Sequence, residues 1–191
     1  MPRTLVIGYG NLDRGDDGAA FHVVNRLRER LGQRPLKEED SGLEDLAVRT
    51  AVFVPQLTPE LALDAAAYGR LVLVDAHVTS DERLLAAVRL EPKYQPPAVS
   101  HVLSPGMFLW LVQGVSGRSR TAFLVSLRGH RFDLRRGLSL ETSALVAPCA
   151  GCAFVSQVAL GGRAERHPDG LGDVQLHRAC HRRGVTHGEL G

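Results

Sequence analysis

The sequence predicts a layered α/β domain with a mostly parallel β-sheet. Strand-like and helix-like segments alternate over about 160 residues, which is the pattern of such domains. The strand-like segments are short, continuous apolar runs, as expected for buried strands. Two of the helix-like segments begin with Ser or Thr followed by Pro, which is typical of an N-cap and a first helical residue. In sheets of this kind, binding sites form at the carboxyl ends of the strands.

The predicted elements follow one another along most of the chain. Strands are predicted at 4–9, 47–54, 71–75, 84–90 and 121–127, and helices at 18–31, 58–68, 104–111 and 139–160, the last with Ser139 as its N-cap. After residue 160 the apolar periodicity stops, and the sequence becomes rich in Gly, Arg and His. We therefore expect one domain over residues 1–160 and a mobile tail over residues 161–191.

Length and composition exclude several classes of protein. The chain has 191 residues, of which 44% are hydrophobic and 23% charged, as in an ordinary globular domain. Its net charge of +2 is too small to indicate nucleic acid or a membrane surface as a partner. No apolar run reaches the ~18 residues of a membrane span, and no signal peptide is recognisable, so we expect a cytoplasmic protein. Three cysteines also favour a reducing compartment over a disulfide framework.

The strongest local signal lies between the first strand and the first helix. Residues 8–18 read GYGNLDRGDDG, and a G-x-G turn in this position is typical of a phosphate-binding loop. However, the third glycine of that motif is replaced by Asp13, and Asp13, Asp16 and Asp17 stand where an anion would bind. A cation suits such a loop better. The alternative is that these acids only complement the dipole of the following helix.

Two further residues could contribute ligands or catalytic groups. Asp75 ends the most apolar strand, where it should face the site crevice, although a lone Asp there can also be a cap or a solvated turn residue. His77 follows two positions later. His101 lies between a Pro-rich segment and the helix start at Ser104, and imidazole can bind a borderline metal. A single histidine has weight only together with the acids.

Other patterns carry less chemistry. Cys149 and Cys152 form a C-x-x-C that could bind zinc together with Cys180 and His181 in the tail. The C-x-x-C falls in a predicted apolar helix, however, where cysteine packs as a small hydrophobic residue. No G-x-S-x-G motif is present, so an α/β-hydrolase triad has no nucleophile. The tail histidines are expected to be solvated.

Five motifs in register resemble those of the hydrogenase maturation proteases, which process the large subunit of nickel-iron hydrogenases. They are GYGNLDRGDDG at 8–18, QLTPEL at 56–61, LVLVDA at 71–76, SHVLSP at 100–105 and GHRFDLRRGLS at 129–139. The likeness covers about residues 3–160, and it implies a three-layer α/β/α sandwich around a twisted, mostly parallel sheet of about five strands. The sequence departs from the family pattern at Ala20, where Gly is frequent, and in its extension over 161–191.

The resemblance also implies a site and a reaction. The family's metal-associated residues correspond to Asp17, Asp75 and His101, with Asp16 as a second candidate in the loop. These residues are expected to be both catalytic and metal-binding in an aspartic-type endopeptidase. Such an enzyme removes a C-terminal peptide from the precursor of the large subunit of a NiFe hydrogenase. Nickel arrives with that precursor, no organic cofactor is needed, and the enzyme is expected to be a monomer.

Several alternatives stay open on the sequence alone. The metal could polarise the peptide carbonyl while a loop carboxylate activates water, or an Asp pair could act without the metal. The same residues could also serve a non-catalytic chaperone that senses the metal-loaded precursor. A nucleotide-binding protein using the Gly8-Tyr9-Gly10 turn is a further alternative, which the acids of the loop disfavour.

Overall fold

The computed structural model describes residues 3–45, 47–78, 83–95, 103–158 and 172–173 of the chain. Within these ranges lie six strands and four α-helices. They are β1 (Thr4–Tyr9), α1 (Ala19–Arg30), β2 (Arg49–Val54), α2 (Pro59–Ala65), β3 (Arg70–His77), β4 (Leu85–Arg89), α3 (Pro105–Ser116), β5 (Thr121–Arg128), α4 (Leu140–Val158) and β6 (Gly172–Asp173). Short 3-10 turns occur at Gly15–Gly18 and Leu43–Asp45.

The strands form one mixed sheet in the order β2-β1-β3-β5-β4-β6. Strand β1 is parallel to β2 and β3, and β3 is parallel to β5. Strand β4 runs antiparallel to β5 and to the two-residue β6. The prediction of a mostly parallel sheet is therefore confirmed, and antiparallel pairing is confined to the edge of the sheet that β4 and β6 form.

Alternate side chains of the central strands face two separate apolar cores. On one face Val6, Val72 and Val125 pack against α1 and α4, and on the other Leu5, Ile7 and Leu73 pack against α2 and α3. Since both faces of a parallel sheet must be covered by helices, these continuous apolar runs account for the architecture. The three-layer α/β/α sandwich is thus confirmed.

The predicted helix starts are confirmed by their capping bonds. Thr58 caps α2 by accepting a hydrogen bond from the Leu61 amide at 3.4 Å, and Ser104 caps α3 by accepting from the Met107 amide at 3.3 Å. Some helix ends were predicted wrongly. Helix α2 ends at Ala65 rather than Tyr68, whereas α3 continues past Leu111 to Ser116, where Gly117 ends it in a left-handed conformation with φ of 62°.

The cysteines and the tail are only partly covered by the structure. Cys149 is free and buried in α4, as expected of a small apolar side chain, but Cys152 is disulfide-bonded, which departs from the expectation of reduced cysteines. The predicted tail lies outside the described residues, as do Cys180 and His181, except that Gly172–Asp173 pairs with β4. In the described part of the chain, no helix is long and apolar enough to span a membrane.

Candidate active site

The candidate site lies at the topological switch point of the sheet, where successive strands are added on opposite sides of β1. From β1 the chain passes through α1 to β2 on one side, and then through α2 to β3 on the other side of β1. A crevice forms at the carboxyl ends of strands that diverge in this way. Tyr9 ends β1, and Asp75 lies two residues before the end of β3. Because Gly8 pairs with Val74, Tyr9 and Asp75 are the next neighbours across the two strands, at this crevice.

Asp75 is a partly buried carboxyl with a strongly altered acidity. Burial, with a smaller contribution from the charge of Asp17, raises its pKa from 3.8 to about 6, although the Tyr9 hydroxyl and the Ala76 amide partly oppose the shift. The charge of Asp17 acts on Asp75, and the 3-10 turn that carries Asp17 contacts β3, so both carboxyl groups belong to the same crevice. The structure thus brings together two of the predicted site residues.

Asp17 belongs to a loop that closes tightly on itself. Its carboxylate accepts a hydrogen bond from the Asn11 amide at 2.9 Å. Gly10 has a φ of 145°, and a Cβ at that position would overlap the Asp17 carbonyl, so only glycine fits there. The amide that a bound phosphate would need is therefore already occupied by a carboxylate, which argues against nucleotide binding.

Asp16 has a different role from its neighbour. It is fully buried, and burial alone would raise its pKa, but hydrogen bonds from Ser139, His130 and Arg131 lower the pKa to about 2. Five donors surround the carboxylate at 2.7–2.8 Å: the amides of His130, Arg131 and Ser139 and the hydroxyls of Ser139 and Thr142. Such a saturated carboxylate has little capacity left for a substrate or a metal. It fixes the loop to the start of α4, so its charge complements the dipole of α4 rather than that of α1.

Tyr9 is a site residue that the sequence reasoning missed. Its hydroxyl is buried, and burial together with the nearby charge of Asp75 raises the pKa of Tyr9 strongly. The hydroxyl faces Asp75 closely enough for each group to shift the pKa of the other, but it forms no hydrogen bond of good geometry. The pair is therefore an electrostatic contact rather than a hydrogen bond. The alternation of Leu5, Ile7 and Tyr9 along β1 was the available signal, because it puts a tyrosine at the carboxyl end of a buried strand.

His101 lies outside the described residues, so its predicted role stays a prediction. Among the described residues, no group of three or more His, Cys, Asp or Glu side chains could hold a metal ion. Helix α3 ends shortly before β5 begins, so its last residues lie near the amino end of β5. Its first residue, Pro105, therefore lies toward the carboxyl ends of the parallel strands, and His101 precedes it by four residues in the sequence. His77 shares a strand face with Asp75, and its Nε2 lies 3.3 Å from the Arg83 carbonyl oxygen.

Fold and site together define an α/β protein with two close carboxylates at a topological switch point. No protein-family model and no curated protein matches the chain. Solved structures do match, among them the NiFe hydrogenase maturation protease HycI from Thermococcus kodakarensis, with a TM-score of 0.54 and 22% identity over 81% of this chain and 92% of that one. The hydrogenase maturating endopeptidase HybD from E. coli matches with a TM-score of 0.57 and 19% identity, over 82% and 94% of the two chains.

A third match is the NiFe hydrogenase maturation protease HybD from Thermococcus kodakarensis, with a TM-score of 0.56 and 17% identity over 80% of this chain and 97% of that one. At these identities the likeness establishes a shared fold. This chain therefore has the fold of solved hydrogenase maturation proteases, as the resemblance of its motifs implied.

Proposed function

We propose that this protein is an endopeptidase that removes a C-terminal peptide from the nickel-loaded precursor of a NiFe hydrogenase large subunit. The observation that carries the proposal is that Asp17, on a 3-10 turn that contacts β3, and Asp75, near the end of β3, belong to the same switch-point crevice. The fold shared with maturation proteases supports the same reaction. Since the chain offers a pair of acids rather than a phosphate cradle at this crevice, a cationic feature of the substrate is the natural ligand.

The nickel ion is treated as part of the precursor. Carboxylate and imidazole groups are suitable ligands for a borderline divalent metal. Asp17 and Asp75 would supply two oxygen ligands, and His101 would supply the nitrogen. With only three ligands from the enzyme, coordination positions remain for the groups with which the precursor already holds its metal. Cleavage would then depend on a loaded precursor.

Peptide hydrolysis also requires a base for the attacking water. An ordinary carboxyl is a weak base at neutral pH, and a raised pKa improves it. In the metal-free protein, burial raises the pKa of Asp75 to about 6, so Asp75 is suited to accept the proton of that water if the Asp pair acts without binding the metal. Asp16 is not assigned to this step, because its five hydrogen bonds and its pKa of about 2 make it a poor base.

The proposal is tested by incubating the purified protein with nickel-loaded precursor and following the precursor by mass spectrometry. The wild type should shorten it at one position. Asp17→Asn and Asp75→Asn should slow cleavage by on the order of 10²–10⁴-fold, the range for loss of an acid–base group. The matched control is Asp13→Asn, an exposed acid of the same loop that pairs with Arg136 at 2.8 Å. It should cleave at nearly the wild-type rate.

The possible outcomes separate the candidate functions. Unchanged cleavage by Asp17→Asn and by His101→Ala would remove the roles assigned to these residues. If the wild type binds the loaded precursor but leaves its mass unchanged, the protein is a metal-sensing chaperone. If the precursor is cleaved equally well without nickel, the metal is not the recognition element.

A further inference from the structure

The segment after β5 forms a well-anchored but exposed loop beside the candidate site. We call residues 129–139 the arginine loop. Its backbone is bonded to the aspartate-rich loop by three short contacts: Gly15 N to Arg135 O at 2.7 Å, Asp16 N to Arg131 O at 2.8 Å, and Arg135 N to Asp13 O at 2.9 Å. The buried Asp16 carboxylate adds bonds to the amides of Arg131 and Ser139. The arginine loop is thus fixed in place despite its exposure.

Two leucines, one within this loop and one directly after it, are almost completely exposed. Leu134 is 87% exposed and Leu140, the first residue of α4, is 88% exposed, which are the highest values among the large apolar residues described. A single exposed apolar residue is ordinary. Two within seven residues, on a segment held in one conformation, are more typical of a contact surface.

Exposed charges of both signs lie beside these leucines, with arginines outnumbering the acids Asp133 and Glu141. Arg14, Arg131 and Arg135 are exposed, and none of them forms an ion pair with any residue that the structure describes. By contrast, Arg136 is paired with Asp13 at 2.8 Å and with Glu38 at 2.7 Å. Arg131 and Arg135 of the arginine loop and Arg14 of the aspartate-rich loop therefore present three guanidinium groups without an ion-pair partner among the described residues, and guanidinium groups complement carboxylates of a partner in bidentate geometry.

This surface adjoins the proposed active site. The Gly129 amide donates to the His77 carbonyl at 2.9 Å, so the arginine loop begins at the end of the strand that carries Asp75. The side chain of Arg135 passes over Gly15, since a Cβ atom added to Gly15 would lie 3.4 Å from the Cγ atom of Arg135. A protein bound on this surface would be in position to extend its chain into the crevice.

We infer that Arg14, Arg131, Leu134, Arg135 and Leu140 form the docking surface for the folded body of the precursor. We call these five residues the arginine–leucine surface. The inference rests on the proposed function and adds the chemistry of the partner. The precursor would present carboxylates around an apolar side chain, and this contact would hold it while its C-terminal segment occupies the crevice. Complementary charges of this kind act mainly on the association rate and on specificity.

The test measures steady-state cleavage of the nickel-loaded precursor by a double variant, Arg131→Glu with Arg135→Glu, and by Leu134→Asp. Each should raise KM by on the order of tenfold or more, as expected when complementary rim contacts become repulsive or polar, with kcat within about twofold of wild type. Salt should lower kcat/KM of the wild type more steeply than that of the double variant. Both variants should fold, since the bonds between the arginine loop and Asp16 use backbone amides of residues 130 and 131.

The matched controls lie near the amino end of β5, whereas the arginine loop follows the carboxyl end of that strand. Arg118→Glu and Val115→Asp alter an exposed arginine and a 52% exposed valine near the end of α3, and their KM should stay at the wild-type value. The conservative double variant Arg131→Lys with Arg135→Lys should recover most of the affinity.

Each remaining outcome overturns the inference in a distinguishable way. If the wild type cleaves the precursor and the double variant has an unchanged KM, the docking surface is wrong while the proposed function stands. If the wild type self-associates in sedimentation and the double variant is monomeric with unchanged KM, the surface binds a second copy of this chain. If the wild type cleaves no precursor, the proposed function fails, and the docking surface fails with it.

Discussion

Asp75 is a residue whose burial acts against the stability of the protein. The ionised carboxylate is disfavoured in the folded state, where its pKa is about 6 instead of 3.8. Between these two values the folded protein holds the proton more tightly than the unfolded chain does. The free energy of unfolding must therefore fall as the pH rises from about 4 to 6, and it stays lower above that window. Such a destabilised acid is typical of a functional site.

Replacing this acid with its neutral isostere should stabilise the fold. At pH 7 we expect Asp75→Asn to raise the free energy of unfolding by about 1–3 kcal/mol, given about 1.4 kcal/mol for each unit of pKa shift. The difference from wild type should vanish near pH 4, where Asp75 is neutral in the folded protein as well. Urea denaturation of both proteins from pH 4 to 8 measures this difference.

A second variant measures how far Tyr9 opposes the raised pKa of Asp75. The Tyr9 hydroxyl partly lowers the pKa of Asp75, so Tyr9→Phe should raise that pKa and extend the fall in stability to higher pH. Carbon-detected NMR of the Asp75 carboxyl reports the pKa directly. If wild type and Asp75→Asn lose stability in parallel from pH 4 to 8, Asp75 does not have the raised pKa assigned to it.

At the level of elements, Asp16 connects the loop after β1 to the start of α4. Its five short hydrogen bonds join segments more than a hundred residues apart. We expect Asp16→Asn to lower the free energy of unfolding by roughly 3–5 kcal/mol, as when one partner of a buried charged network is lost. The exposed Asp13→Asn should change it by less than about 1 kcal/mol. Chemical denaturation at pH 7 compares the two variants.

The acid dependence of the same variant provides a control. Because the pKa of Asp16 is about 2 in the folded protein, its contribution to stability is fully present above about pH 4 and decreases as the pH falls toward 2. The difference between wild type and Asp16→Asn should shrink over that range. A constant difference would mean that the lost hydrogen-bond acceptor, rather than the lost charge, accounts for the effect of the substitution.

The elements were largely predictable because the responsible signals are local. Ser104 with Pro105 and Thr58 with Pro59 marked two helix starts that the capping bonds confirm. Strand β3 was evident from its apolar run. The direction of β4 was not predictable, since a short run such as Leu85–Arg89 reads the same in a parallel or an antiparallel pair.

The site was predictable only in part. The carboxyl ends of β1 and β3 identified the crevice, and Asp17 and Asp75 are close together there. The different roles of Asp16 and Asp17 were not predictable, because two adjacent acids in one loop look alike in sequence. They differ through the donors around Asp16, which come from residues 130–142 and are distant in the chain. The nearness of Tyr9 to Asp75 likewise depends on the register of two strands.

At the scale of the whole molecule, the two apolar cores share a single sheet. Each central strand sends alternate side chains into both, so neither core can persist after the sheet separates. A domain of this size is therefore expected to unfold in one cooperative transition. The single tryptophan, Trp110 in α3, is 42% exposed and contacts Tyr94 edge-on at 5.1 Å, so its fluorescence reports on the helical layer of α2 and α3 rather than on the core beneath it.

A substitution in the opposite core tests this coupling. Leu27 of α1 is fully buried on the other face of the sheet. Leu27→Ala should lower the free energy of unfolding by about 2–5 kcal/mol, as for large-to-small changes in a core. The midpoint of Trp110 fluorescence should fall together with that of far-ultraviolet circular dichroism. Leu63→Ala, at a 62% exposed position of α2, should lower the free energy of unfolding by less than about 0.5 kcal/mol by either probe. If Leu27→Ala moved only the circular dichroism midpoint, the two helical layers would unfold separately. The crevice between β1 and β3 could then open while the layer of α2 and α3 stays folded.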